Sequence, residues 1–441
     1  MRANAWSVAM LATFPVVGAM ATPSLATGQA TSDPVPTVTL AEARRRATSV
    51  DPDAVAARSQ VATASWERRA ALVNMLTPNV TAGGTYTHFS DPFFNFGTGA
   101  ISPNAASATL EASYTLSGTG KVGALRSSRA SLASAEASET ATHFRTTLAT
   151  DAAYFAVLAD RELSRVTAER LRRADEQLGV ARVRVLAGEA IASDSLQLLL
   201  EVTRARYAVL ANDSALVASR LRLGRQIGLS TAAEAAAIDT ATPPPLPMSQ
   251  EQAIAELRAQ GPEIIAVRAD ERRADALVTA AREQYIPEIT VGATTGAYDA
   301  ELFPSALRRT QLSVTVALPI WDGGQRELAV ARARAEREVT RATRADRERG
   351  AAEVMAQAYH GYLTSRGGIE LATVGLAAAT EAYRVQRARY REGATTILDL
   401  LEAQVAVSEA EVALVQARYS TRLALAQIEA LLGRRVFEAQ P

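Results

Sequence analysis

The sequence predicts a mainly α-helical chain with a small β part, in which one architectural unit occurs twice. Three observations carry that prediction. Markers of strands and turns recur in the same order: Pro78-Asn79-Val80-Thr81 returns as Pro287-Glu288-Ile289-Thr290, and Gly188 and Gly228 return as Gly393 and Gly433. Two very long stretches, 121–187 and 325–392, contain no proline. Two short segments ahead of them alternate apolar with polar side chains.

In chain order, residues 1–26 read as a secretory signal peptide. Arg2 supplies the positive start, and Val8 to Met20 is an apolar run too short to span a bilayer as a helix. Small-residue sites at Ala19-Met20-Ala21, Ser24-Leu25-Ala26 and Gly28-Gln29-Ala30 put cleavage between positions 21 and 30. Repeat one then runs over 27–242, a proline-rich linker over 243–248, and repeat two over 249–441. The linker, Pro243-Pro244-Pro245-Leu246-Pro247, is stiff and extended by composition. Each repeat opens on a leading helix, 38–76 and 249–285, interrupted near its start by Pro52 and Pro262.

The alternating segments read as membrane strands. In 107–117, Ala108, Leu110, Ala112, Tyr114 and Leu116 share one face; in 310–320, Leu312, Val314, Val316, Leu318 and Ile320 do. Period two over about ten residues is the length of a tilted spanning strand. Their expected partners are 79–89 and 288–298, which makes strand pairs of 79–117 and 288–320. Strands of a soluble sandwich would alternate in the same way. The connections, 90–106 and 299–309, include Phe93, Phe94 and Phe96, placed either at a membrane interface or in the packing of an outer loop.

The proline-free stretches would each reach about 100 Å as unbroken helices. They need other helices alongside for their whole length. Each is expected to turn at a glycine and return, giving long hairpins over 121–228 and 325–433. On the second return, Leu398, Leu401, Val405, Ser408, Val412, Val415 and Tyr419 alternate by three and four, a coiled-coil seam with one polar member. Leu196, Leu200, Tyr207 and Leu210 take matching places in the first.

Composition closes off several functions. The formal net charge is zero, which argues against nucleic acid as a partner. There is no cysteine, so no disulfide, thiolate metal site or cysteine nucleophile. His88, His143 and His360 have no metal-ligand spacing, and no nucleophile, base and orienting group come together in sequence. No catalytic residue, metal or cofactor is expected. Four strands cannot close a barrel, and open sheet edges in lipid leave backbone groups unpaired. The edges must therefore meet other copies. Two copies make a barrel whose interior fills, whereas three leave a channel.

Leu318-Pro319-Ile320-Trp321-Asp322-Gly323-Gly324-Gln325-Arg326 resembles the strand-to-helix junction of the TolC family of outer-membrane efflux proteins, with Trp321 in place of the usual phenylalanine. Tyr390 to Gln404 resembles the same family's Tyr-x-x-Gly-x-x-(Thr/Ser)-x-x-Asp-(Val/Leu)-Leu-(Asp/Glu)-Ala stretch. The resemblance spans nearly the whole chain after the signal. It implies a homotrimer with a 12-stranded outer-membrane β-barrel, continued by an α-helical coiled-coil tunnel into the periplasm. It implies passive conduction in a tripartite efflux or type I secretion system. The implied partners are a periplasmic adaptor (membrane fusion protein), an inner-membrane pump of RND, ABC or MFS type, and outer-membrane lipid.

It also implies roles. Pro319, Trp321, Asp322, Gly323 and Gly324 form the barrel-helix junction. Val185, Gly188, Glu189, Gly393 and Ala394 lie at the adaptor-docking tips, with Tyr390 beside them. Asp399 and Glu402 match acidic positions lining the narrow entrance, where clustered carboxylates would have raised pKa values. Asp194 and Tyr390 match a hydrogen-bonded pair that holds the entrance shut. The family's arginine two residues after the second tip glycine is absent; Thr395 stands there. Competing readings are a periplasmic adaptor, which ordinarily has one hairpin between soluble β domains, and a structural coiled coil, which needs no strand pairs.

Overall fold

A computed structural model describes residues 35–95, 99–117, 120–238, 242–300 and 307–437. The expected signal peptide, Phe96 and most of 299–309 lie outside the described residues.

Each proline expected to interrupt a leading helix starts a new one. Helix α1 (Leu40–Val50) ends at Asp51, whose carboxylate accepts from the N–H groups of Asp53 and Ala54 and so caps α2 (Pro52–Leu76). In repeat two, α5 (Gln250–Gln260) begins with a Ser249–Gln252 capping box, and α6 (Pro262–Glu283) follows Gly261.

The strands are β2 (Asn79–Asn95), β3 (Ala100–Ser117), β5 (Glu288–Asp299) and β6 (Leu307–Ala317), after a two-residue β1 (Thr37–Val38) that pairs with β4 (Glu234–Ala235). They form one antiparallel sheet in the order β2-β3-β5-β6. The expected 90–106 connection is mostly strand. Pairing slips between His88 and Phe93, then resumes to Asn95↔Ala100. Pro92 and Pro103 hid this extension, because both fall at the register shift, where a missing N–H costs no regular ladder bond. Strand β6 begins and ends three residues before the expected 310–320, so Pro319 and Ile320 lie past it.

The long helices are α3 (Lys121–Leu186, 66 residues), α4 (Ala192–Gln226), α7 (Gln325–Arg391, 67 residues) and α8 (Ile397–Leu432). Three buried clusters hold them together. One gathers Tyr154, Phe155, Leu158, Leu223, Val415 and Tyr419. A second gathers Leu257, Met355, Tyr362 and Ile428. The third lies near the hairpin ends, with Leu178, Leu198, Val202, Tyr390, Ile397 and Leu400. The proline-rich linker is fastened to α7: Tyr362 donates to the Pro244 carbonyl at 2.6 Å, Arg366 to that of Pro243 at 3.0 Å, and Tyr359 to that of Met248 at 3.0 Å.

The expected seam on α8 is only partly the buried one. Ser408, Val415 and Tyr419 are buried, but Leu398 is 60% exposed while Leu400 is 1% exposed. Helix α8 packs against both α7 and α3, so it buries more than one stripe. On α4 the whole expected stripe faces outward. Leu196, Leu200, Tyr207 and Leu210 are exposed, and Leu198, Val202 and Ala205 are buried instead. No described helix is long and apolar enough to cross a membrane.

Candidate functional site

The junction residues follow β6. Gly323 and Gly324 have φ of +70° and +82°, a region costly for any other residue. The chain can therefore turn sharply into α7. Asp322 caps that helix, accepting from the N–H groups of Gly324 and Arg326 at 3.1 and 3.2 Å and from the Arg326 side chain at 2.9 Å. Burial pushes its carboxyl up, but the Arg326 pairing and the two N–H bonds outweigh it and hold the group low. Pro319 supplies no ladder donor, and Trp321 stands 83% exposed beside the turn.

The hairpin ends lie at the far end of the long helices. Both close the same way. Gly188 (φ +77°) lets the N–H of Glu189 reach the Arg184 carbonyl at 2.9 Å; Gly393 (φ +73°) lets that of Ala394 reach the Arg389 carbonyl at 2.8 Å. Gly188, Glu189, Gly393 and Ala394 are exposed, and Val185 is half-buried.

The two returning helices start differently. Thr396 caps α8 in a reciprocal box: its hydroxyl accepts from the Asp399 N–H, and the Asp399 carboxylate accepts from the Thr396 N–H at 3.0 Å. The hydroxyls of Thr396 and Thr395 also donate to that carboxylate, at 2.7 and 2.8 Å. These bonds, Thr396 foremost and then Thr395, hold Asp399 below the ordinary aspartate range. Within one chain this is opposite to the raised pKa expected of clustered acids. Glu402 is exposed one turn further along α8. At the start of α4 the place of Thr396 is taken by Ile191, which has no hydroxyl to offer, and the helix has no side-chain cap.

Asp194 bears on Tyr390 without bonding to it. The phenol is buried and its hydroxyl has no hydrogen-bond partner. Burial raises its pKa first, the Asp194 charge raises it further, and Arg184 lowers it. The partner that does hold Tyr390 was not expected from sequence. Arg184 donates to the Tyr390 carbonyl at 2.8 Å, and its guanidinium lies 5.3 Å from the ring centre. It also faces Glu189 at 3.8 Å. Gln177, one heptad before Arg184, donates to the Tyr383 hydroxyl at 2.7 Å. The signal for both was long polar side chains seven residues apart on a helix face otherwise rich in alanine.

Among the described residues no group of three or more His, Cys, Asp or Glu could hold a metal ion. The arrangement offers polar ties and exposed turns.

The outer membrane efflux protein family model matches residues 253–434. No curated relative matches the sequence. Three solved structures are similar in fold. The Campylobacter jejuni CmeC outer membrane channel has a TM-score of 0.78 and 16% identity, over 91% of this chain and 87% of that one. The Vibrio cholerae outer membrane protein VceC has a TM-score of 0.77 and 18% identity, over 90% and 96%. The Neisseria gonorrhoeae MtrE outer membrane channel, in its open state, has a TM-score of 0.75 and 20% identity, over 90% and 89%. At such identities the likeness establishes fold, while the family match rests on the second repeat. The second repeat therefore resembles the outer membrane efflux protein family, and the described chain as a whole has the fold of these outer-membrane channel proteins.

Proposed function

We propose that three copies of this chain form an outer-membrane exit duct that reaches into the periplasm. It conducts substrates passively from an inner-membrane pump and adaptor in a tripartite efflux or type I secretion system. The observation that carries this reading is the open sheet. Strands β2 and β6 each have one partner, and the sheet passes directly into helices of 66 and 67 residues. In lipid every unpaired backbone group costs several kcal/mol, so both edges need strands from other copies. Three copies give twelve strands and room for a lumen. Leu312, Val314 and Val316 are exposed on one face of β6, as a lipid-facing surface requires. The outward stripe of Leu196, Leu200, Tyr207 and Leu210 on α4 gives neighbouring copies an apolar surface to cover.

On this reading the exposed turns at Val185, Gly188, Glu189, Gly393 and Ala394 meet the adaptor. Asp194, Tyr390, Asp399 and Glu402 stand at the entrance, and Pro319 to Gly324 join barrel to tunnel. The pump partner sets much of the cargo. Extraction from outer membranes tests the reading directly. The protein should run as an oligomer that shifts on heating, and should give stepwise conductance in planar bilayers. A water-soluble monomer that never conducts would refute it.

A further inference from the structure

Four helices enclose a hollow midway along the molecule. Helix α8 ends where α6 begins, so closely that a side chain on Gly433 would collide with the ring of Pro262. Helices α3 and α7 each pack against both α6 and α8, and so flank this joint. Two helix ends fill less space than one continuous helix would, and the residues opposite include the small Ala141 and Gly350. The result is a cavity of about 730 Å³, the size of a small-molecule pocket.

Its floor is apolar and buried, with Leu257, Ile264 and Ala351. Leu148 and Leu431 line it half-buried, and Val354 is exposed at the mouth. Arg145 lines it too, exposed, and among the described residues has no hydrogen bond or ion pair. The other charges of the lining are matched: Glu263 pairs with Arg347 at 3.3 Å, and Asp346 with Arg349 at 3.5 Å. One positive charge is left over beside an apolar bowl. Gly350 adds to the space. It lies inside α7, where glycine is unfavourable, yet no neighbouring atom within 4 Å of its missing side chain demands a glycine there.

The hollow also has a definite side. Tyr154 of α3 is bonded to the carbonyls of Val38 and Ala236, and Tyr359 of α7 to that of Met248, so both face the layer added over the long helices. Arg145 and Gly350 precede those tyrosines by about two and a half helical turns and lie on the opposite faces. In a tube that must stay open, the added layer sits outside and the hollow faces the lumen.

We propose that this cavity is a resting site for cargo in the tunnel wall, and that it takes an amphiphile with a compact apolar body and a single anionic group. Leu148, Ile264, Val354 and Leu431 enclose the body, and Arg145 pairs with the anion. The inference rests on the duct reading and narrows the cargo that reading leaves open.

The probe is pyrene-1-sulfonate, followed by fluorescence anisotropy with the full-length protein in lipid nanodiscs, against empty nanodiscs as the baseline. Heat-shifted gel migration and conductance in planar bilayers confirm the assembly. Binding should be saturable. Pyrene-1-methylammonium, with the same ring and the opposite charge, should bind about tenfold more weakly or worse. Arg145→Gln should weaken binding of the sulfonate by about tenfold or more, the effect of losing a charged hydrogen bond. Gly350→Phe fills the open space without a clash and should abolish saturable binding while assembly and conductance persist. If Gly350→Phe does not assemble, Arg145→Gln and the ammonium decide alone. A parent protein that never conducts refutes the duct and, with it, a site in a tunnel wall. A conducting parent that shows no saturable binding, that binds both charges alike, or whose binding is unchanged by either substitution refutes the pocket and leaves the duct standing.

Discussion

The two hairpin ends are copies of one turn, and they have diverged at the residue that begins each returning helix. Both use a glycine with positive φ and the same pair of closing bonds. The second then places Thr396 before α8 and ties Asp399 into a capping box, while the first places Ile191 before α4 and has no side-chain cap. Asp399 is thereby bonded to its own helix start, and its counterpart Asp194 acts through space on Tyr390. Losing one hydroxyl converts a carboxylate from a local fastener into a charge that acts on the other repeat.

The sharpest way to break the comparison is to remove what the two ends share. Leu400→Ala cuts into the cluster that contains Leu198, Tyr390 and Ile397, and should cost about 2–5 kcal/mol, whereas Leu398→Ala, at an exposed site, should fall within about 0.5 kcal/mol. Thermal melts of the extracted protein would separate the two. Next comes the shared turn. Gly393→Ala forces a side chain into the left-handed region and should cost about 1–2 kcal/mol, read as faster amide exchange around 390–397.

The difference itself is tested by exchange of the capping residues. Thr396→Ala should cost about 1 kcal/mol at the start of α8, and Ile191→Thr should gain a similar amount at the start of α4. In the second variant Asp194 should turn to its new cap, and the Tyr390 phenol should titrate lower than in the parent, measurable by ultraviolet absorbance. The smallest effect is on acid sensitivity. The Asp399 pKa is depressed in the folded chain, so its contribution is present above the unfolded value of about 3.9 and is lost as pH falls through the lower folded value. Amide exchange at residues 397–400 should quicken in that range, and Thr396→Ala, which leaves the Thr395 hydroxyl and the backbone N–H in place, should weaken the dependence.

Much of this architecture was legible because proline and glycine mark it. Pro52 and Pro262 begin helices, Gly188 and Gly393 turn them, and Gly323 and Gly324 lead out of the sheet. What the pattern could not supply was the number of neighbours each helix has. A 3-4 stripe says that something covers a face, not what covers it. So Leu196 and Tyr207 read like Val415 although they point away from their own chain. Of the site, the acids and turn glycines were legible by position and by resemblance. Arg184 was not, because its partner is a backbone carbonyl, which leaves no mark in a sequence.

The unequal strand lengths bear on the outer rim. Strand β2 has 17 residues and β6 has 11, and the last β3–β5 pair is Ala106↔Asp299. Wherever β2 of one copy lies along β6 of another, no more than 11 positions can match. Among the described residues, the β2–β3 pairs continue past the last β3–β5 pair, to Asn95↔Ala100. A closed ring of three would carry three such extensions, a battlement on its outward-facing end rather than a level lip.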